Sequence, residues 1–248
     1  MAGNLLASVR KTYGMPLRCE ARPFHAPEAA PVSTTTVSPV TPTPTPALDL
    51  TPGYVAHRGL REELARLAEV TRHLDPVDIL RVRAVEEHLA LVLRFLRAHH
   101  REEHTVLYPW VRAGSPRAAR TVSAFQVDHS ALEDTMRRAA DTSVPLRDRS
   151  PAIGRLYEQV ARHSLAEEHQ LFPLMRRHVR GTPDGRMPTR TVRVWGRDLP
   201  AFVAFHLHHA TDAERRRVLR WIPPGAALLW RAGWRRAYER RRRAAYGS

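Results

Sequence analysis

Six residues of this chain have the types and the spacing to hold metal: His57, His99, Glu103, His129, His163 and Glu167. Two of the pairs follow His-x-x-x-Glu, which places an imidazole and a carboxylate one helical turn apart on the same side. The first runs from His99 through Glu103 and His104 to Leu107, Tyr108 and Pro109. The second runs from His163 through Glu167 and Glu168 to Leu171, Phe172 and Pro173, with the same spacing. Upstream of each pair stands a further His, His57 before the first and His129 before the second, with Leu60 and Leu132 following at equal distances. The His-to-His gaps are 42 and 34 residues, the length of a helical hairpin, so the pattern is an internal repeat of two helices.

The positions around these six on the same helical stripes are apolar. A carboxylate in such a core costs several kcal/mol unless it is paired or binds a cation, and no Lys or Arg shares the stripes. A lone histidine there reads as a satisfied core residue; four imidazoles and two acids at one level read as ligands. Cys19 is the only cysteine, which excludes disulfide scaffolds, iron–sulfur clusters and thiolate zinc within one chain. Four His and two Glu exceed one catalytic zinc, and divided by the repeat they suit two adjacent ions bridged by carboxylates. Mixed nitrogen and oxygen ligation then points to di-iron or di-manganese. The Glu-x-x-His spacing of ferritin-like di-iron bundles does not occur in the sequence.

The elements that must position these residues are four helices. The first is predicted near 54–74 with His57, Leu60, Leu64, Leu67 and Leu74 inward, and Asp75-Pro76 breaks it. The second, near 77–112, carries Val82, Val85, Leu89, Val92, Leu96, His99, Glu103, Val106 and Trp110 at steps of three and four. Gly114, Ser115 and Pro116 stop it and cap the third, near 116–141, whose inner face holds Ala118, Val122, Phe125, His129, Leu132, Met136 and Ala139. The fourth, near 149–179, holds Ile153, Leu156, Val160, His163, Glu167, Leu171, Leu174 and His178. The fold class is therefore all-α, an up-down-up-down four-helix bundle. Residues 52–181 form this metal-binding bundle. Residues 1–50, with alternating Thr and Pro over 41–46, read as disordered. Residues 182–248 read as a basic helical extension with short helices near 198–209, 212–221 and 225–245.

That extension holds 15 arginines against 5 acidic residues, most of the chain's formal charge of +15. The charge offers an acidic partner a surface or serves solubility. No apolar run is long enough to span a membrane and no secretory leader is evident, so a cytoplasmic protein is expected. Gly-rich phosphate loops and nucleophile–base pairs do not appear either.

The doubled pattern resembles the hemerythrin family, in its bacterial HHE cation-binding branch, over roughly residues 52–180. The resemblance implies a non-haem di-iron centre that binds O2, NO or peroxide, with iron preferred to manganese and an oxo bridge between the ions. It assigns His57, His99, His129 and His163 as terminal imidazoles and Glu103 and Glu167 as bridging carboxylates, with Leu60, Leu96, Phe125 and Val160 keeping the pocket dry. Oxygen-carrying members have a further His one turn after the third-helix ligand and an Asp as the second carboxylate. Here Glu133 and Glu167 stand in those places, which puts oxidant or NO sensing, iron handling and peroxide reduction level with oxygen carriage. The alternatives are a peroxidase-like or NO-reducing di-iron enzyme, and an adaptor bundle whose basic tail binds nucleic acid or anionic membrane.

The remaining candidates read as supporting or structural. His88, at the edge of its stripe, is expected on the helix surface. His100, His104 and His169 flank the motifs as outer-face or supporting groups. His206, His208 and His209 resemble a metal cluster but share no carboxylate in sequence. Tyr54, Tyr108 and Tyr157 are candidates to line the pocket. Trp230, Trp234 and Tyr238 form a stripe that packs the last helix onto the bundle or a second copy.

Overall fold

The computed structural model describes residues 48–179, 187 and 189–247. All of the regular structure among them is helical. The Pro/Thr-rich segment expected over 1–50 therefore lies, except for its last three residues, outside the described residues, as does Cys19.

Helix α1 spans Thr51–His73 and α2 Ile79–Glu102, with the predicted break at Asp75-Pro76 between them. Asp78 caps α2, its carboxylate accepting from the Arg81 N–H at 3.0 Å. The same helical path continues through a π-helical turn, Glu103–Leu107, into α3, Tyr108–Gly114. Ser115 then caps α4, Pro116–Ala140, with Oγ accepting from the Ala118 N–H at 3.1 Å. Helix α5, Ser150–Ala166, passes through a second π-helical turn, Glu167–Leu171, into α6, Phe172–His178. Helix α1 packs on α2 and α5, and α4 packs on α5, α2 and α3.

Two apolar clusters fill the interior. One holds Leu60, Leu64, Leu67, Val85, Leu89, Leu96, Leu132, Met136, Ile153 and Val160. The other holds Leu50, Tyr108, Val111, Val122, Phe125, Leu171, Phe172 and Met175. On α2, α4 and α5 the candidate ligands fall between the residues of one cluster and those of the other, and on α1 His57 lies between Leu50 of the second cluster and Leu60 of the first, so the polar seam lies where the two apolar regions meet.

The π-helical turns change which residues face inward. Each closes with a hydrogen bond five residues long, Tyr108 N–H to Glu103 O and Phe172 N–H to Glu167 O. Two residues past the end of each stands Pro109 or Pro173, which supplies no N–H to an α-helical ladder. One extra residue rotates the downstream helix by roughly 100°. The predicted inward Trp110 is thus 61% exposed, while Tyr108 and Val111 are buried; in the second copy Phe172 and Met175 take the buried places expected of Leu174 and His178.

Beyond these helices come α7 (Thr189–Trp195), α8 (Leu199–His209), α9 (Asp212–Trp221), α10 (Ala226–Leu229) and, after a third π-helical turn at Trp230–Trp234, α11 (Arg235–Tyr246). Helices α8, α9 and α11 pack against α1, and α11 also against α2. Gly59 admits α8: a β-carbon there would lie 2.5 Å from Phe205 Cζ and 2.8 Å from His209 Cδ2. Tyr238 is buried and Trp230 and Trp234 are half-buried, whereas Arg235, Arg236, Arg240, Arg241 and Arg243 are exposed.

The junction is fixed by Glu63, which is fully buried on α1. Its carboxylate accepts from His88 Nε2 (2.9 Å), His209 Nε2 (3.0 Å), Tyr238 Oη (3.1 Å) and Arg242 Nε (2.7 Å), and Tyr246 Oη completes the set. His88 is therefore not the surface residue its stripe-edge position predicted. The carboxylate partner that His209 lacked in sequence comes from α1, which no local spacing on α8 could show. His206 is buried too, with its Nδ1 on the Phe202 carbonyl at 3.0 Å.

Candidate metal centre

The six residues singled out by spacing converge. His57 Nε2 lies 3.0 Å from His99 Nε2 and 3.3 Å from Glu167 Oε2. His129 Nε2 lies 2.8 Å from His163 Nε2. The two carboxylates span these imidazole pairs. Glu103 turns Oε1 to His99 Nε2 (3.2 Å) and Oε2 to His129 Nε2 (3.5 Å). Glu167 Oε2 faces His163 Nε2 at 3.4 Å as well as His57. One group of donors that lie within 4.8 Å of one another comprises His57, His99, Glu103 and Glu167, and a second comprises His100, His129 and His163.

Each repeat places its next residue against an imidazole of the neighbouring hairpin strand. Glu168 Oε1 accepts from His57 Nδ1 at 3.1 Å and from Arg61 at 2.8 Å. His104 Nε2 meets His129 Nδ1 at 2.7 Å. With the Nδ1 proton engaged, each ring keeps its Nε2 lone pair turned into the seam. Tyr108 Oη donates to Glu167 Oε1 at 3.0 Å, a contact that the π-helical turn makes possible by rotating Tyr108 inward. Of the other tyrosines, Tyr54 is half-buried edge-on to Phe172, and Tyr157 packs on the larger apolar cluster. Glu133, which stands one turn after His129, points away and pairs with Arg97. His100, expected as an outer-face or supporting group, is buried, and its ring stacks on His129 with centroids 3.9 Å apart. Its adjacency to His99 hid it, since stripe counting admits one of two neighbours.

The electrostatics are those of a site short of positive charge. Burial and the neighbouring charges of Glu167 and Glu102 hold Glu103 well above the usual carboxylate range. Burial acts the same way on Glu167 but is outweighed by the neighbouring His57 and His163, so it falls to about 2. Burial also opposes charge on His57, yet Glu167 and Glu168 raise it. His99 and His100 are driven well below the ordinary imidazole value, and His129 to about 3, by burial and by the adjacent histidines. Glu103 Oε2, Glu167 Oε2 and His100 Nε2 are buried without a hydrogen-bond partner. Buried oxygens and nitrogens that lack a protein donor or acceptor are what a cation would satisfy, so the residues fit one. No helix among the described residues is long and apolar enough to cross a membrane.

Comparison with known families agrees. Residues 54–144 match the family model described as the hemerythrin HHE cation binding domain. The match takes in α1 through α4, and with them His57, His99, Glu103 and His129; His163 and Glu167 lie beyond it. Searches of curated proteins and of solved structures gave no match. The matched domain and the buried His/Glu clusters together indicate metal binding, and residues 54–144 are similar to the hemerythrin HHE cation binding domain.

Proposed function

We propose that this is a non-haem di-iron protein that binds O2, NO or peroxide in a sensing or stress-protective role. His57, His99, Glu103, His129, His163 and Glu167 are its ligands. The observation that carries the reading is the pair of carboxylates, each facing imidazoles of both halves and each with one buried oxygen that makes no hydrogen bond. Imidazole and carboxylate without thiolate favour iron in such a bundle. The reading includes the up-down-up-down topology. It is supported by the order in which each helix meets the two apolar clusters: α1 runs from the Leu50 cluster to the Leu64 cluster, α2 back again, α4 forward and α5 back.

Bound ferrous ions would supply electrons and an open coordination position for the small ligand. The chain's own residues supply the rest. Glu168 and His104 hold protons at His57 Nδ1 and His129 Nδ1 and so fix both rings. Tyr108 holds a proton at Oη against Glu167. Phe172, stacked on His57, and Phe125, edge-on to His163, join Leu60, Leu96 and Val160 in keeping water out. The test is anaerobic reconstitution of the full chain with Fe(II), followed by elemental analysis and absorption spectra before and after air or NO. Two iron ions per chain and a new charge-transfer band are expected. A chain that retains no iron, or whose spectrum ignores both gases, refutes the reading.

A further inference from the structure

We propose that His100 is a seventh protein ligand, and that it makes the two ion positions unequal. The proposal rests on the di-iron reading above and concerns how the ligands are divided. His99 and His100 are consecutive on α2, so their side chains leave the helix about 100° apart. Two neighbours can both be buried ligands only if they serve different ions. That is the division observed: His99 Nε2 lies with His57, Glu103 and Glu167, while His100 is grouped with His129 and His163.

His100 has the marks of a donor and not of a packing residue alone. Its Nε2 is buried and meets no hydrogen-bond partner. Its ring lies parallel to His129 and edge-on to His163, with the centroids 3.9 and 5.6 Å away. A leucine or phenylalanine could fill that space without stranding a nitrogen beside two other imidazoles. With His100 counted, one position has three imidazoles and the other two, and the carboxylates are shared. The position at His57 and His99 then has fewer protein donors.

The experiment compares the full-length wild type with H100F and H100E. H100F keeps an aromatic ring to stack on His129 but has no donor atom; H100E restores a donor of a different kind. Circular dichroism melts verify folding, and H100L replaces H100F if the latter does not fold. Each protein is titrated anaerobically with Fe(II), and iron per chain and Mössbauer spectra are recorded. H100F is expected to lose about half of its bound iron, or to hold the second ion at least about tenfold more weakly. One of the two wild-type Mössbauer components should weaken with it, and H100E should recover it. Wild-type iron content and affinity in folded H100F would overturn the proposal and leave the six-ligand reading standing. A wild type that binds no iron would overturn both.

Discussion

The molecule buries carboxylates at two levels of α1 and its neighbours, and treats them in opposite ways. Glu63 is met by His88, His209, Tyr238, Arg242 and Tyr246, one donor from α2, one from α8 and three from α11. Burial alone would raise its pKa, but the hydrogen bonds from His209 and His88 carry it far below the carboxylate range. Glu103, equally buried, faces imidazoles and another acid, and is shifted well above that range by burial and by the charge of Glu167. Glu63 is a closed knot in which the protein supplies every donor. The Glu103/Glu167 seam is left open, and the missing positive charge must come from outside the chain. Counting buried acids would not separate the two; counting their donors does.

The comparison is broken most directly at Glu63. Replacing it with Leu strands Arg242 and His209, and about 3–5 kcal/mol of folding stability should be lost in urea titrations while iron per chain is retained. Iron loss with unchanged stability would reverse the roles assigned to the two clusters. At the seam the signs are opposite. Glu103→Gln should abolish tight iron binding, measured by elemental analysis, yet leave the metal-free protein as stable as the wild type or more so, because burial and the neighbouring Glu167 disfavour its charge.

A smaller effect is expected at Tyr108. Tyr108→Phe removes one hydrogen bond to Glu167, and iron affinity should fall about 10- to 100-fold in competition titrations. Tyr54→Phe should leave affinity unchanged, since nothing ties that hydroxyl to the seam.

Acidity sharpens the contrast further. The folded pKa of Glu63 is lowered, so its stabilisation is present above the unfolded value of about 4.3 and is lost as pH falls through the folded value. Burial opposes charge on His209, but Glu62 and Glu63 raise its pKa. Its stabilisation is complete below about pH 6.5 and is lost as pH rises through the raised folded value. The stability difference between wild type and H209Q should be largest between about pH 4.3 and 6.5 and shrink on either side. A difference that stays flat across alkaline pH in thermal melts would show that His209 is held by packing alone. The smallest change is expected at Trp110, which the π-helical turn leaves outside: Trp110→Ser should alter stability by under about 0.5 kcal/mol.

The sequence by itself determined the six seam residues, the helices that carry them and the cap at Ser115. All of that is local periodicity and spacing along one chain, and α-helical geometry converts spacing directly into facing. It left His100 off the inner face because stripe counting admits one of two neighbours, and it misjudged Trp110 because such counting assumes an unbroken 3.6-residue period that the π-helical turns interrupt. Pro109 and Pro173, at matched places in the repeat, were the signal that could have revealed them. What only the tertiary structure decided is which distant groups meet: His88 and His209 on Glu63, Tyr108 on Glu167, Glu168 on His57. These pairs join helices between 25 and 146 residues apart. No local rule fixes such contacts, because they depend on how the helices rotate and seat against one another once the apolar core has closed.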